Sequence, residues 1–312
     1  MINKKNILLL GGFGFIGLNL IEEFIQSDQY NIIVFSAKNT PADRMDIFKD
    51  VKIYLGDFNN ENDLEKIFQE NKIDIVFHLI STTIPSTSNE DIIYDIKSNL
   101  ISTIRMLDLM VKNNVGKIVF FSSGGTIYGI GNEREKFSES DLSKPICSYG
   151  IIKDTIEKYL FLYNYLYGLQ YLILRVSNPY GEYHNSEKQG LINVALKNIL
   201  KGESVNIWGD GEAIRDYLYV GDLAKIVAQL IEKNIFNEVF NVGSGVGYSV
   251  NEIISVIRKV AGNVDVVKRE ARKVDVPRII LDNKKLQSIN PFVFTDVEMG
   301  IREAYHWMKQ NM

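Results

Sequence analysis

Ile7-Leu-Leu-Leu-Gly-Gly-Phe-Gly-Phe-Ile-Gly17 joins an apolar run to a glycine-rich turn. Four consecutive apolar residues read as a strand buried on both faces, and glycines at 11, 14 and 17 follow it directly. A turn that tight needs a residue free to take positive φ, and a Cβ would keep a pyrophosphate from approaching the backbone. Residues 15–27 carry helical spacing, so their first-turn N–H groups and the positive dipole end would face those phosphates. Strand, glycine spacing and helix agree, and together they predict a dinucleotide-binding turn.

Beyond this stretch, apolar runs at 32–35, 51–55, 73–79, 117–122 and 171–176 read as further strands. Helical spacing occupies 62–70, 91–113 and 149–167. This order predicts an α/β chain, a Rossmann-like doubly wound parallel sheet with right-handed crossovers. From about residue 180 the pattern breaks into short elements, with helices expected at 190–201, 222–233, 249–261 and 297–309. The expected division is a dinucleotide-binding domain over 1–178 and a smaller C-terminal α/β substrate lobe over 179–312, with segments free to cross. A second glycine cluster, Gly243-Ser-Gly-Val-Gly247, also follows a strand-like run, 239–242. Its glycines alternate and no βαβ unit follows, so it reads as a loop before a helix capped by Ser249.

Composition narrows the class. Among 312 residues, 46% hydrophobic and 24% charged describe an ordinary globular chain, which excludes disorder and coiled coil. The net charge of −4 offers no basic footprint for nucleic acid. A single cysteine, Cys147, excludes a disulfide framework and reads as a small packing residue. His78, His184 and His306 are too scattered for a metal-ligand set. The apolar run 7–10 is too short for a signal-peptide core or a membrane span, so the expected location is the cytoplasm, with no membrane partner.

In the usual dinucleotide fold an acid ends the second strand and holds the adenosine ribose. Here that strand ends Val34-Phe-Ser-Ala-Lys38, so Ser36, Lys38 and Arg44 are the polar groups in reach. Lys38 reads equally as a partner for a 2′-phosphate, leaving NADP open beside NAD, or as a solvated loop cation. Asp57 reads as an adenine contact or as the cap of a loop turn. In Ser148-Tyr-Gly-Ile-Ile-Lys153 the tyrosine and lysine are four apart on a helix and share a face. A nearby cation lowers a phenol pKa of about 10 by roughly 1–3 units, which makes Tyr149 a general base for a hydroxyl proton. Alone, the pair is an ordinary helix-surface pair. Ser122-Ser-Gly-Gly-Thr-Ile-Tyr-Gly129 lies at a strand's C-terminal end, where open α/β sheets bind ligands and where serines also simply form turns.

These stretches, with Asn178-Pro-Tyr-Gly181 and Arg215-Asp-Tyr-Leu-Tyr-Val220, occur in the order found in the extended short-chain dehydrogenase/reductases. The chain most resembles the NAD-dependent sugar-nucleotide epimerases of the UDP-glucose 4-epimerase type, over nearly its whole length. The resemblance implies an enzyme in which Tyr149 is the catalytic acid/base and Lys153 anchors the nicotinamide ribose. It also implies cofactor contacts from Gly11, Gly14, Phe15, Ile16, Gly17, Ser36, Lys38, Asp57, Phe58, Leu79 and Asn99. Asn178, Arg215 and Arg272 would hold a nucleotide-diphosphate sugar, the arginines forking onto its phosphates. Tyr217 and Trp208 would sit near the nucleotide or in the core, the core being the expectation for Trp208. Two departures stand out. The family's Ser/Thr four residues before the tyrosine of Tyr-Gly falls on Gly124, leaving Ser123 or Thr126 to supply the hydroxyl. The Thr-Asp-Glu of the related 4,6-dehydratases is replaced by Gly124-Gly-Thr126, which argues against water elimination.

The expected activity is 4-epimerisation through a 4-keto sugar, with tightly held nicotinamide. The alternatives are an NAD(P)H-dependent reductase of 4-keto-6-deoxysugars and a non-catalytic dinucleotide-binding regulator. Helices 91–113 and 149–167 carry apolar residues on more than one face; these either pack the sheet and the second lobe or, as the resemblance implies, pair the helices in a homodimer.

Overall fold

The computed structural model describes residues 4–130, 135–187, 189–271 and 276–311. The principal strands are β1 (Lys5–Leu10), β2 (Tyr30–Ala37), β3 (Val51–Gly56), β4 (Ile75–His78), β5 (Lys117–Ser123) and β6 (Gln170–Val176). Further strands follow: β7 (Asn178–Tyr180), β8 (Val205–Trp208), β9 (Ile214–Tyr219), β10 (Glu238–Val242), β11 (Gly247–Ser249), β12 (Val266–Arg269) and β13 (Arg278–Ile279). A seven-stranded sheet runs in the order β10-β6-β5-β4-β1-β2-β3, with β1 parallel to β2 and β4. The order reverses beside β1, the switch point at which such sheets bind ligands. The sheet is α/β and Rossmann-like, as expected. Its seventh strand, β10, lies far along the chain at the strand-like run 239–242; the sequence shows that run but not that it joins this sheet.

The chain divides into two compact units. The first comprises 1–122, 147–174 and 230–239, and the second 123–146, 175–229 and 240–312. Each has its own core. In the first, Leu8, Leu10, Val76, Ile118, Phe120 and Ile173 of the strands pack with Met106, Leu107, Ile152 and Leu160 of the helices. In the second, Leu196, Ile207, Tyr217, Ile253, Ile257 and Ile301 enclose another. Strands buried on both faces need continuous apolar runs, and β1 shows one: its last four residues are wholly enclosed.

The helix expected over 91–113 is interrupted. A turn Ile92–Asp95 passes into a π-helical turn Ile96–Ile101 and then into the helix Ser102–Lys112. Hydroxyls draw the ladder apart: Ser98 donates to Tyr94 O, Ser102 to Lys97 O and Thr103 to Asn99 O. Such π-turns frequently mark functional sites. The second glycine cluster is the loop the sequence describes. Asp216, fully buried, accepts from the backbone N–H groups of Ser244 and Gly245 and from the Ser244 hydroxyl. Ser249 and Glu252 then close a capping box on the helix Val250–Ala261.

Candidate active site

In the first unit the glycine turn is built backbone against backbone. Gly11 has φ +83°, and its N–H donates to Phe35 O at 2.8 Å, tying the turn to the end of β2. Gly14 N–H donates back to Gly11 O at 2.9 Å. A Cβ on Gly17 would lie 2.6 Å from the carbonyl carbon of Gly12 and closer still to its oxygen, so helix and turn meet only through glycine. The helix Phe15–Ser27 starts at Gly14 with no side-chain cap and no acidic residue in its first turn. An uncapped helix start without a resident carboxylate suits an anionic ligand. The turn therefore fits the pyrophosphate of a dinucleotide.

At the adenosine end Ser36 is buried and its Oγ accepts from Thr40 Oγ1 at 2.9 Å, while Thr40 also donates to Ala37 O. Lys38 is largely exposed, 3.7 Å from Asp63 Oδ2. Arg44 reaches back to donate to Phe13 O at 2.9 Å, inside the glycine turn. Asp57 Oδ1 accepts from the N–H and the side-chain amide of Asn59, so this carboxylate builds an Asx turn. Phe58 is buried against His78, and Leu79 N–H donates to Leu10 O.

Tyr149 and Lys153 occupy the first turns of the helix Ser148–Tyr167, whose start is held by Ser148 N–H donating to Asn89 Oδ1. Lys153 is buried; its Nζ donates to Phe121 O at 2.8 Å and lies 5.6 Å from the centre of the Tyr149 ring. Burial pulls this ammonium down to about 8, opposed by the carboxylates of Glu157 and Asp95. Glu157, one turn on, accepts from Ser122 Oγ at 2.5 Å. Tyr149, Lys153, His78, Asp95, Asn99 and Thr103 together line a cavity of about 10 Å³. Asn99 is wholly engaged: its amide donates to Asp95 Oδ1 and Thr82 Oγ1 and accepts from Thr82 N–H. It therefore supports the segment after β4 rather than offering a donor of its own. His78 and Asp95 are the site residues that motif reading misses. The available signals are a histidine inside an apolar strand and an acid four residues before Asn99.

The second unit holds Ser123, Thr126, Asn178 and Arg215. Asn178 and Arg215 sit on neighbouring strands: β7 pairs with β9 at Asn178 and Tyr217, and Asn178 Nδ2 donates to Asp216 O at 3.0 Å. Arg215 donates to its neighbour's carbonyl, Ile214 O. Thr126 Oγ1 is a buried hydroxyl with no hydrogen-bond partner among the described residues. Tyr217 is buried in the core, whereas Trp208 is 43% exposed at the end of β8, so core packing is overturned for the tryptophan. Arg272 lies outside the described residues.

The departure at Gly124 has a steric cause. A Cβ there would meet Leu281 Cδ1 at 2.5 Å and Arg175 O at 3.0 Å. Gly124→Ser should therefore lower stability by about 1–3 kcal/mol through overpacking, and by less in a Leu281→Ala background, where the contact is gone. Thermal unfolding of the parent, both single variants and the double variant checks this; a serine variant as stable as the parent would contradict it.

The sequence profile of the NAD dependent epimerase/dehydratase family matches residues 7–243. A putative UDP-glucose 4-epimerase of Methanocaldococcus jannaschii is 35% identical over 307 residues, 98% of this chain and 99% of that protein. A dTDP-4-dehydro-6-deoxyglucose reductase of Escherichia coli is 34% identical over 260 residues, 81% of each. The crystal structure of a Thermotoga maritima UDP-glucose 4-epimerase with UDP-glucose superposes with a TM-score of 0.92 at 31% identity, over 98% of this chain and 99% of that one. The chain belongs to the NAD dependent epimerase/dehydratase family.

Proposed function

We propose that the protein is a nucleotide-sugar 4-epimerase that uses NAD. The observation that carries this reading is the Tyr149–Lys153 pair, with a buried ammonium 5.6 Å from the phenol ring, in the same unit as the glycine turn. NAD, when bound, supplies a hydride acceptor and donor. Gly11, Gly14 and Gly17 would cradle its pyrophosphate, and Lys153 its nicotinamide ribose. Tyr149 takes the proton of the sugar 4-hydroxyl, and Lys153 stabilises the phenolate by Coulomb attraction in a partly dehydrated site. After the 4-keto sugar has turned its other face, Tyr149 returns the proton. Ser123 or Thr126 donates a hydrogen bond to the reacting oxygen; the unpartnered Thr126 hydroxyl supports the latter. Arg215 and Arg272 are assigned to the diphosphate and Asn178 to the nucleotide-sugar, with the first unit holding the dinucleotide and the second the sugar nucleotide.

A second reading, a 4-keto-6-deoxysugar reductase, draws on the missing acid at the end of β2 and on the E. coli relative. The two separate in one experiment. Purified protein is denatured, released nicotinamide is quantified, and fresh protein is incubated with UDP-, dTDP- and GDP-hexoses. Stoichiometric NAD together with interconversion of 4-epimers is expected. An empty protein that oxidises NADPH against a 4-keto sugar overturns the first reading in favour of the second.

The apolar surface of the first unit supports a homodimer. Ile92, Ile93, Tyr94 and Ile101 are exposed on one helical segment, and Phe161, Leu162, Tyr165 and Leu166 on another, Tyr165 at 85%. Adjacent exposed apolar side chains of this size mark an interface. Tyr165→Glu should halve the mass measured by light scattering; a parent already monomeric at micromolar concentration would contradict the dimer. No helix among the described residues is long and apolar enough to cross a membrane.

A further inference from the structure

The cavity beside Lys153 is lined by Ile80, Ile152 and Ile156 as well as by polar groups, and the donors and acceptors of those polar groups do not balance. His78 is 2% exposed; its Nε2 lies 2.8 Å from Thr103 Oγ1, whose own proton goes to Asn99 O. Thr103 can then only accept, so Nε2 carries the histidine proton and Nδ1 presents a lone pair. That Nδ1 is buried with no partner among the described residues. Burial and the neighbouring Lys153 charge hold the imidazole neutral, down to about 3, so Nδ1 stays an acceptor throughout the working range. Asp95 is 1% exposed; its Oδ1 accepts from Thr83 Oγ1 and Asn99 Nδ2, while its Oδ2 is likewise buried and without a partner. Lys153 has three N–H donors, of which one goes to Phe121 O. Two acceptors lack donors and a cation has donors to give, around a cavity of about 10 Å³. That volume is the minimum that holds one water, and buried waters typically make about three hydrogen bonds.

We propose that one ordered water fills this cavity, donating to His78 Nδ1 and Asp95 Oδ2 and accepting from Lys153 Nζ, and that through it His78 and Asp95 are positioning residues for the Tyr149–Lys153 pair. The inference rests on the epimerase reading for its kinetic consequence only. With Phe121 O and the water taking two ammonium protons, the third is left to face Tyr149 and the nicotinamide ribose. The charges facing Lys153 are Glu157 on its own helix and Asp95 from the segment before the π-turn, with neutral His78 from β4 and the phenol of Tyr149. Leaving the two acceptors without donors in a buried site would carry the desolvation penalty of each, which the water removes.

Two measurements test this. In crystals diffracting well enough to show ordered solvent, density for one water should lie about 2.7–3.2 Å from His78 Nδ1, Asp95 Oδ2 and Lys153 Nζ. A dry cavity overturns the proposal. In solution, Asp95→Asn keeps the hydrogen-bonding shape and removes the charge that favours the Lys153 ammonium. The alkaline limb of its kcat profile should move down by about one pH unit with KM little changed. His78→Asn keeps an acceptor at the δ position and should retain the parent profile. His78→Leu should show a lower kcat and the same displaced limb, while melting close to the parent. Parent-like profiles in both Asp95→Asn and His78→Leu overturn the positioning role. If the parent epimerises no nucleotide sugar, the epimerase reading fails separately. The density and the pH dependence of NAD affinity, read by quenching of protein fluorescence, then still decide the water.

Discussion

Tyr149→Phe is expected to lower turnover by roughly 10²–10⁴-fold, the usual contribution of a positioned acid/base, while NAD affinity stays close to that of the parent. The substitution leaves the ring and its contacts in place. The phenylalanine ring keeps the face over which Lys153 Nζ sits at 5.6 Å, so the cation–ring contact and the helix start at Ser148 are retained. Only the hydroxyl that exchanges the proton is lost. A group that acts in the chemical step alone should depress kcat and kcat/KM together with little change in KM. Lys153, by contrast, is buried and bonded to Phe121 O, so its replacement disturbs packing, cofactor and catalysis at once and is a poorer probe. Turnover near the parent value in Tyr149→Phe, with the substrate panel otherwise active, would remove the tyrosine from the mechanism.

The features legible in the sequence are those set by local chemistry. The glycine turn is visible because positive φ at Gly11 and the backbone approach at Gly17 permit few other residues. Tyr149 and Lys153 are visible because a helix puts residues four apart on one face. The second glycine cluster reads correctly as a loop because its glycines alternate and a helix capped by Ser249 follows it with no βαβ unit. What stays hidden depends on contacts between distant segments. The π-turn at Asn99 arises from three side-chain-to-carbonyl bonds that helical periodicity does not register. The steric reason for Gly124 lies in Leu281, more than 150 residues away. Trp208 reads as a core residue from its type alone, yet β8 pairs with β12 in a two-stranded sheet and its end is open to solvent. His78 and Asp95 look unremarkable in sequence because their significance is the bond each lacks.

The glycines of the turn should separate when each is replaced by alanine, because one meets the fold and the other meets the ligand. At Gly17 the added methyl would press on the backbone of Gly12, on its carbonyl carbon at 2.6 Å and its Cα at 2.7 Å. Neither is the end of a flexible side chain, so relief requires the turn between β1 and the helix Phe15–Ser27 to open. Overpacking of this kind costs about 3 kcal/mol or more, and Gly17→Ala should melt several degrees lower than the parent even with no cofactor present. Gly14 differs in every respect. It is exposed, its φ of −76° suits any residue, and a Cβ there would find only Gly11 O, at 3.0 Å. Gly14→Ala should therefore fold and melt like the parent. Its methyl would stand at the uncapped helix start, however, where the pyrophosphate must approach the N–H groups closely, so NAD affinity should fall at least tenfold, about 1.4 kcal/mol. Calorimetric titration with NAD and thermal melts of both apo-proteins check the pair. Gly14→Ala binding NAD as tightly as the parent would place the phosphates elsewhere. A loss of stability confined to Gly14→Ala would show that the turn is not packed as described.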